Sequence, residues 1–339
     1  MASSIQQLQK KLESTSGEQR VDMLVEIAKK RSISANDSKK LLLEALHISK
    51  GISYATGLFW SNCELGRISM QQGSHQAAQQ YLLEGLEIAE KKEEGELISE
   101  AYISLSIFYC ISKADYDEAL SLAVRALQLS QKTDSRKAEA RAHISLGNPY
   151  MRIGYYEKAL EHFHTAAGIA RDIGDAHILM RVLVNLAIVY HQSQQYESEM
   201  KCYTEAIAVG RENDDLEVLS VSLQNLGVLH TDMKRLDLAL SCLLEAVEIN
   251  TKRGAQRELT AALVNIGIVY KRKGEYKKAA AKFKQALIKA GKLKDSLIIA
   301  EANHSMAELL LEQKEYTLAK SHLSTAGTHA EKIGAKVVI

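Results

Sequence analysis

Three asparagines, Asn185, Asn225 and Asn265, stand forty residues apart, and the chemistry such a set can do is recognition rather than reaction. A carboxamide both donates and accepts a hydrogen bond, so a column of them can pair with the backbone of an extended segment whatever its side chains are. Three residues beyond each stands an aliphatic side chain, Ile188, Val228 or Ile268, and one step earlier that place holds Asn148. Arg152, Lys271 and Arg272 lie one helical turn further on, and Arg141 and Arg181 stand at the other edge. Together these residues describe an amide and aliphatic floor with a partly basic rim, fit for a protein or extended peptide that carries acidic residues. Glu301, Glu308 and Glu312 reverse the rim's sign near the end of the chain, and Ser104, Ser145 and Ser305 take the asparagine place in other copies.

Reactive constellations are not expected. The histidines lack an i, i+4 pair enclosing a glutamate, and no Gly-rich phosphate loop follows a strand. His162 and His164 flank Phe163 on one helix and, two apart, point to different faces, which argues against a shared metal. The expectation is therefore no catalytic residue, no cofactor and no metal ligand. With 43 Lys and Arg against 42 Asp and Glu, the chain lacks the basic bias of a general nucleic-acid or membrane-surface binder. No run reaches the roughly 18 apolar residues that span a bilayer, and no charged-then-apolar signal segment opens the chain. Cys63, Cys110, Cys202 and Cys242 are scattered without paired spacing, as buried thiols in a reducing, cytoplasmic setting would be.

The elements that position these columns are helices. In RELTAALVNIGIVYKRKGEYKKAAAKFKQALIKA, residues 257 to 290, Ile266, Gly267 and Tyr270 share one helical face, Gly274 ends that helix, and Ala279, Phe283 and Ala286 form the inner face of the next. Small residues allow close approach and the aromatics fill the space around them. With Gly267 as a register mark, its counterparts are Gly66, Ser106, Gly147, Ala187, Gly227 and Ala307, spaced by 40 residues except for one step of 41. A weaker copy lies around Glu26, with Ser38, Leu42 and Ala45 as its second-helix face. Eight helix pairs follow, over about 17–50, 56–91, 96–132, 137–172, 177–212, 217–252, 257–292 and 297–332, as one solenoid spanning 1–339.

Departures from the pattern are informative. Residues 4–13 read as a lead-in helix. The extra residue of the 41-step belongs to the turn in ISKADYDEAL. Pro149 interrupts a first helix near its end, with a tolerated kink or a Ser145 carbonyl freed toward the groove as the two readings. Glu199 occupies an alanine place and is expected to reach water from a splayed pair, and His230 and Leu243 replace a tyrosine and a phenylalanine. At 333–339, IGAKVVI repeats the cadence that opens a first helix, so a further, truncated repeat is expected there, with self-association through an uncapped end.

The order small/Leu–Gly–x2–Tyr, Gly, Tyr, Ala-x3-Phe-x2-Ala resembles the tetratricopeptide repeat. Its period of about 40 is similar to the long-repeat branch of kinesin light chains, Leu-Gly-Asn-repeat proteins and bacterial signalling regulators, and the usual closing proline is absent. The resemblance implies an all-α, right-handed α-α superhelix whose first helices line a concave groove. It also implies a non-catalytic scaffold that binds a protein or peptide in that groove. The alternative is the N-terminal sensory region of a larger bacterial signalling protein whose effector domain (cyclase, kinase, phosphatase or DNA-binding) would follow residue 339.

Overall fold

At Gly267 an added Cβ would lie 2.4 Å from the ring of Phe283, and at Gly147 it would lie equally close to Phe163. A bare backbone is what lets the aromatic of the second helix settle against the first. Gly66 and Gly227 stand in the same relation to Leu82 and Leu243. Where Ser106 takes the glycine place, its hydroxyl donates to the Ala119 carbonyl at 2.8 Å, so the buried oxygen is satisfied.

The computed structural model describes residues 12, 14–29 and 35–333. The lead-in helix expected over 4–13 and the truncated repeat expected at 333–339 lie outside the described residues, but for Leu12 and Ile333. Among the described residues there are sixteen α-helices and no strand, the all-α class of stacked helix pairs that the repeat spacing predicts. Residues up to Gln195 form one compact unit and those from Tyr196 a second. The first unit holds α1 (Gly17–Lys29), α2 (Ala35–Gly51), α3 (Ala55–Gln71), α4 (His75–Lys92) and α5 (Gly95–Phe108). It continues with α6 (Tyr116–Lys132), α7 (Arg136–Arg152), α8 (Tyr156–Asp172) and α9 (Ala176–Gln192). The second holds α10 (Tyr196–Glu212), α11 (Leu216–Asp232), α12 (Leu236–Arg253), α13 (Gln256–Arg272), α14 (Tyr276–Leu293), α15 (Ser296–Glu312) and α16 (Tyr316–Lys332).

Within each unit a helix packs on its hairpin partner and on the helix that follows, and successive first helices also meet one another. Columns of equivalent residues on the first helices are thereby brought side by side. The turns repeat a single device: the N–H five residues beyond a helix-end carbonyl bonds back to it, as from Tyr155 to Tyr150, Arg235 to His230 and Glu275 to Tyr270. Gly274, expected at such a turn, has φ of +76°.

In the hairpin of α5 and α6 the returning N–H comes from Asp115 to the Tyr109 carbonyl, six residues away instead of five. The extra residue of the 41-step is taken up as a π-helical turn over Tyr109–Lys113, at the end of the first helix and ahead of the turn proper.

Two other departures find their reasons. Glu199 does not reach water: it is 3% exposed. It occupies the place of Ala159 and Ala279, and that inward helical face buries whatever side chain it carries. Pro149 lies two residues after its mark, where other copies bury Ile68, Phe108, Val189, Leu229, Val269 and Leu309, and α7 runs on past it to Arg152. The place accepts a β-branched residue in α9 and α13, and a non-proline residue there regains the N–H bond to the Ser145 carbonyl. Pro149→Val is thus expected to raise the melting temperature by at least about 2 °C, as a gain on the order of 1 kcal/mol would. A fall in a thermal scan would show that its surroundings require the proline.

Candidate functional site

The first helices of the first unit, α1, α3, α5, α7 and α9, contribute side chains to a cavity of 370 Å³. Six residues before the register mark, a place that faces the neighbouring first helices, the column reads Trp60, Glu100, Arg141 and Arg181. Two residues before the mark it reads Glu64, Ser104, Ser145 and Asn185. Trp60, Glu64, Ser104, Arg141 and Arg181 from these columns line the cavity, joined by Lys29 at the end of α1 and Arg67 on α3. Met70, Leu82 and Ile107 supply an apolar floor.

Electrostatics in the cavity wall are strongly coupled. The Arg67 Nε donates to Glu64 Oε2 at 2.6 Å, and Arg141 Nη1 stands 2.5 Å from Glu100 Oε2, whose side chain is nearly buried. Burial pushes the Glu100 carboxyl above its ordinary range, and the charges of Arg141 and Lys29 draw it part of the way back. The Lys29 side chain is exposed along its length, but its ammonium lies over the Trp60 ring, 4.0 Å from the centre. Desolvation of that end lowers its pKa; Glu64 opposes the shift and Arg141 adds to it. Burial also pushes the Cys63 thiol up to about 12, so this cysteine is a packing residue with little thiolate character.

Of the residues expected from sequence, Arg181 lines this cavity. Asn185 Nδ2 donates to Asn148 Oδ1 at 3.2 Å, so these two amides pair with each other. Ile188 and Arg152 are exposed, whereas Ser145 is buried with its hydroxyl unpartnered. His162 and His164 diverge as expected, His162 Nδ1 meeting His143 Nδ1 at 3.1 Å and His164 Nε2 meeting the Tyr190 hydroxyl at 2.8 Å.

In the second unit Asn225 hydrogen-bonds Tyr203, whose hydroxyl is pushed up by burial and then by the charge of Glu199. Asn265 is half-buried, Val228 is exposed, and Ile268 packs against the core formed by α13 to α15. Lys271 is held by Glu308 at 2.7 Å and, more loosely, by Glu312 at 3.9 Å. Arg272 donates to the Thr231 carbonyl at 2.7 Å and to Asp232 at 3.1 Å. The basic rim of this unit is therefore already balanced by acids of neighbouring first helices, and its open surface is mainly amide and aliphatic.

Lys29, Trp60 and Arg67 are the residues that the sequence reading missed. Reading the column six before the mark in the early copies would have found Trp60 beside Arg141 and Arg181, which were visible as an edge. Lys29 sits in the least regular copy, where the register is weakest. Among the described residues no group of three potential metal ligands occurs, and no helix is long and apolar enough to cross a membrane.

Models of the tetratricopeptide repeat match residues 138–212 and 217–287, and another of the same description matches 61–92. No curated protein matches the chain. Among solved structures, the signal transduction ATPase (STAND) protein with a tetratricopeptide repeat sensor from Pyrococcus horikoshii superposes with a TM-score of 0.70 at 17% identity. The match covers 97% of this chain and 50% of that one, so this chain spans about half of that protein. BtubC (BKLC) from P. vanneervenii gives 0.58 at 22% identity, over 65% of this chain and 91% of that one. A Rap protein complexed with competence and sporulation factor gives 0.58 at 15%, over 97% and 92%. At these identities the likeness is one of fold.

Proposed function

Since this chain belongs to the tetratricopeptide-repeat family, we propose that it is a non-catalytic binding scaffold whose first-helix faces hold a protein or an extended peptide. The observation that supports this most directly is the cavity on the first-helix face of the first unit. Polar, aromatic and charged side chains from five separate helices converge there over an apolar floor, as in a recognition site. In the second unit the half-buried amides of Asn225 and Asn265 and the exposed Val228 suit backbone pairing and an aliphatic side chain in the same way. A Rap protein of the same fold was solved with competence and sporulation factor, which agrees with such a use of the architecture.

The test is a variant with Asn185, Asn225 and Asn265 all changed to alanine, assayed against a partner first captured by the purified chain and identified. Each lost amide contact is worth about 0.5–1.5 kcal/mol. The triple variant is therefore expected to bind at least tenfold more weakly, with unchanged circular dichroism. Unchanged affinity would move recognition to another face.

A second reading is favoured by one observation. Nearly all of this chain superposes on half of a STAND protein described as having a repeat sensor. In that reading the scaffold is the sensory part of a larger signalling protein, and its ligand state sets the activity of an effector.

A further inference from the structure

We propose that His143 and His162 form a two-imidazole site for a divalent transition-metal ion of the zinc and copper class, bridging α7 and α8. His162 shares no face with His164, but across the hairpin its Nδ1 meets the Nδ1 of His143 at 3.1 Å, with ring centres 5.3 Å apart. Two nitrogens at metal bond lengths of about 2.0–2.1 Å stand about 2.9 Å apart in a cis square-planar arrangement and about 3.4 Å apart in a tetrahedral one. The observed separation lies between the two, so small rotations of the rings bring both lone pairs onto one ion. Tyr150 stacks on His162, centres 5.7 Å apart and planes inclined at 10°, which holds the plane of that ring.

Both rings are in the state that ligates. Burial lowers the pKa of each, and the charge of His162 lowers that of His143 further, so the pair is neutral at neutral pH. One Nδ1 carries the proton that the other accepts; when an ion enters, that ring carries its proton on Nε2 instead, and none is lost overall. Nearby charges nearly cancel. Glu139 and Glu161 favour a cation, Arg136 and Lys158 oppose it, and Arg136 already engages Glu139 at 2.6 Å. Affinity therefore rests on the two imidazoles, with water in the remaining coordination places. The register shows what is particular to this hairpin: the pair stands four residues before the mark and fifteen after it. In the three hairpins from α9 to α14 those places hold Leu183 and Cys202, Leu223 and Cys242, and Leu263 and Lys282. In the hairpin of α15 and α16 they hold Asn303 and His322, joined by a hydrogen bond of 2.7 Å. An asparagine opposite a histidine thus meets the packing and hydrogen-bonding needs of the place, and a second imidazole adds a second metal ligand.

The experiment is calorimetric titration of the whole, chelator-stripped chain with zinc chloride, joined by electron paramagnetic resonance of the same chain with substoichiometric copper(II). Zinc is expected to bind with a micromolar dissociation constant, and the copper spectrum to show coupling to two imidazole nitrogens. His143→Asn installs the pairing seen at Asn303 and His322. It should therefore keep the melting temperature of the metal-free chain within about 2 °C while weakening zinc at least tenfold. His162→Gln should weaken zinc as much, whereas His304→Gln, which removes the imidazole beside Glu308 on α15, should not. Circular dichroism identifies any variant that misfolds, and in that case the copper spectrum of the unmodified chain decides. Absence of zinc binding, binding unchanged in His143→Asn, or a copper spectrum without two imidazole nitrogens would overturn the site and leave the rings as a hydrogen-bonded pair. Neither ring lines the first-helix cavity. A failed metal site therefore leaves the scaffold reading intact, and a failed asparagine variant leaves the metal site intact.

Discussion

Phe283→Ala is expected to cost about 3–5 kcal/mol of stability, the range for deleting a fully buried phenylalanine. Its ring is inaccessible to solvent, lies against the bare backbone of Gly267, and shares a core with Leu263, Ala302 and Met306 from the helices before and after. Alanine leaves a void between two helices whose separation the ring sets, and the long helices on either side cannot collapse far to fill it. In a chain of stacked hairpins the damage should be local. Hydrogen exchange is expected to quicken in α13 and α14 first and in α1 to α4 hardly at all, with the denaturant midpoint falling for the part that includes α14. A loss below about 1.5 kcal/mol, or exchange quickened evenly along the chain, would show that the glycine–phenylalanine contact does not hold the hairpin. The converse change, Gly267→Val, forces the same ring outward and is expected to act in the same region.

Arg141→Met should cost about 3 kcal/mol at neutral pH, because it strips a buried carboxylate of its counter-charge. The low end of the usual range applies, since Arg141 keeps some contact with water and Lys29 remains near Glu100. The sign of the pH dependence follows from the direction of the shift. Glu100 in the folded chain holds its proton above the ordinary carboxylate value of 4.5, so the folded state binds more protons than the unfolded one in that window. Stability therefore falls as pH rises from the unfolded value through the folded one, and the full loss is present above it. Without Arg141 the folded value moves further up, so the window widens toward neutrality. The variant is expected to regain stability on acidification more than the parent does. Glu100→Gln combined with Arg141→Met removes the charge itself and should recover most of the loss, flattening the curve. Urea midpoints at a series of pH values would measure this; a flat profile for Arg141→Met alone would refute the coupling.

The helix pairs were legible because their signals are local and repeated. A small residue every forty positions, an aromatic or leucine sixteen residues on and a helix stop between them each act within one hairpin. Glu199 shows the limit of that reading. Its chemistry suggests solvent, but its position on an inward face decides, and only the packed structure shows that the face does not splay. The candidate site was legible in part. Arg181 and the asparagine column are marked by register alone, whereas the pairing of Asn185 with Asn148 and of Lys271 with Glu308 depends on which side chains reach across to the next first helix. Such reach depends on rotamers and distances that spacing does not encode. Trp60 and Lys29 were missed for another reason: their cation–π contact joins an irregular copy to a regular one.

The wide turn at Tyr109–Lys113 carries a consequence for how chains of this kind tolerate change. One added residue advances a helix by about 100°, and if the error were carried forward every later core position would face the wrong way. Here it is cancelled within a single turn, so Gly147 and all that follows arrive in phase. The array thus behaves as a set of independently clocked segments: a copying slip is corrected where it occurs, and lengthening one unit leaves the next unaware of it.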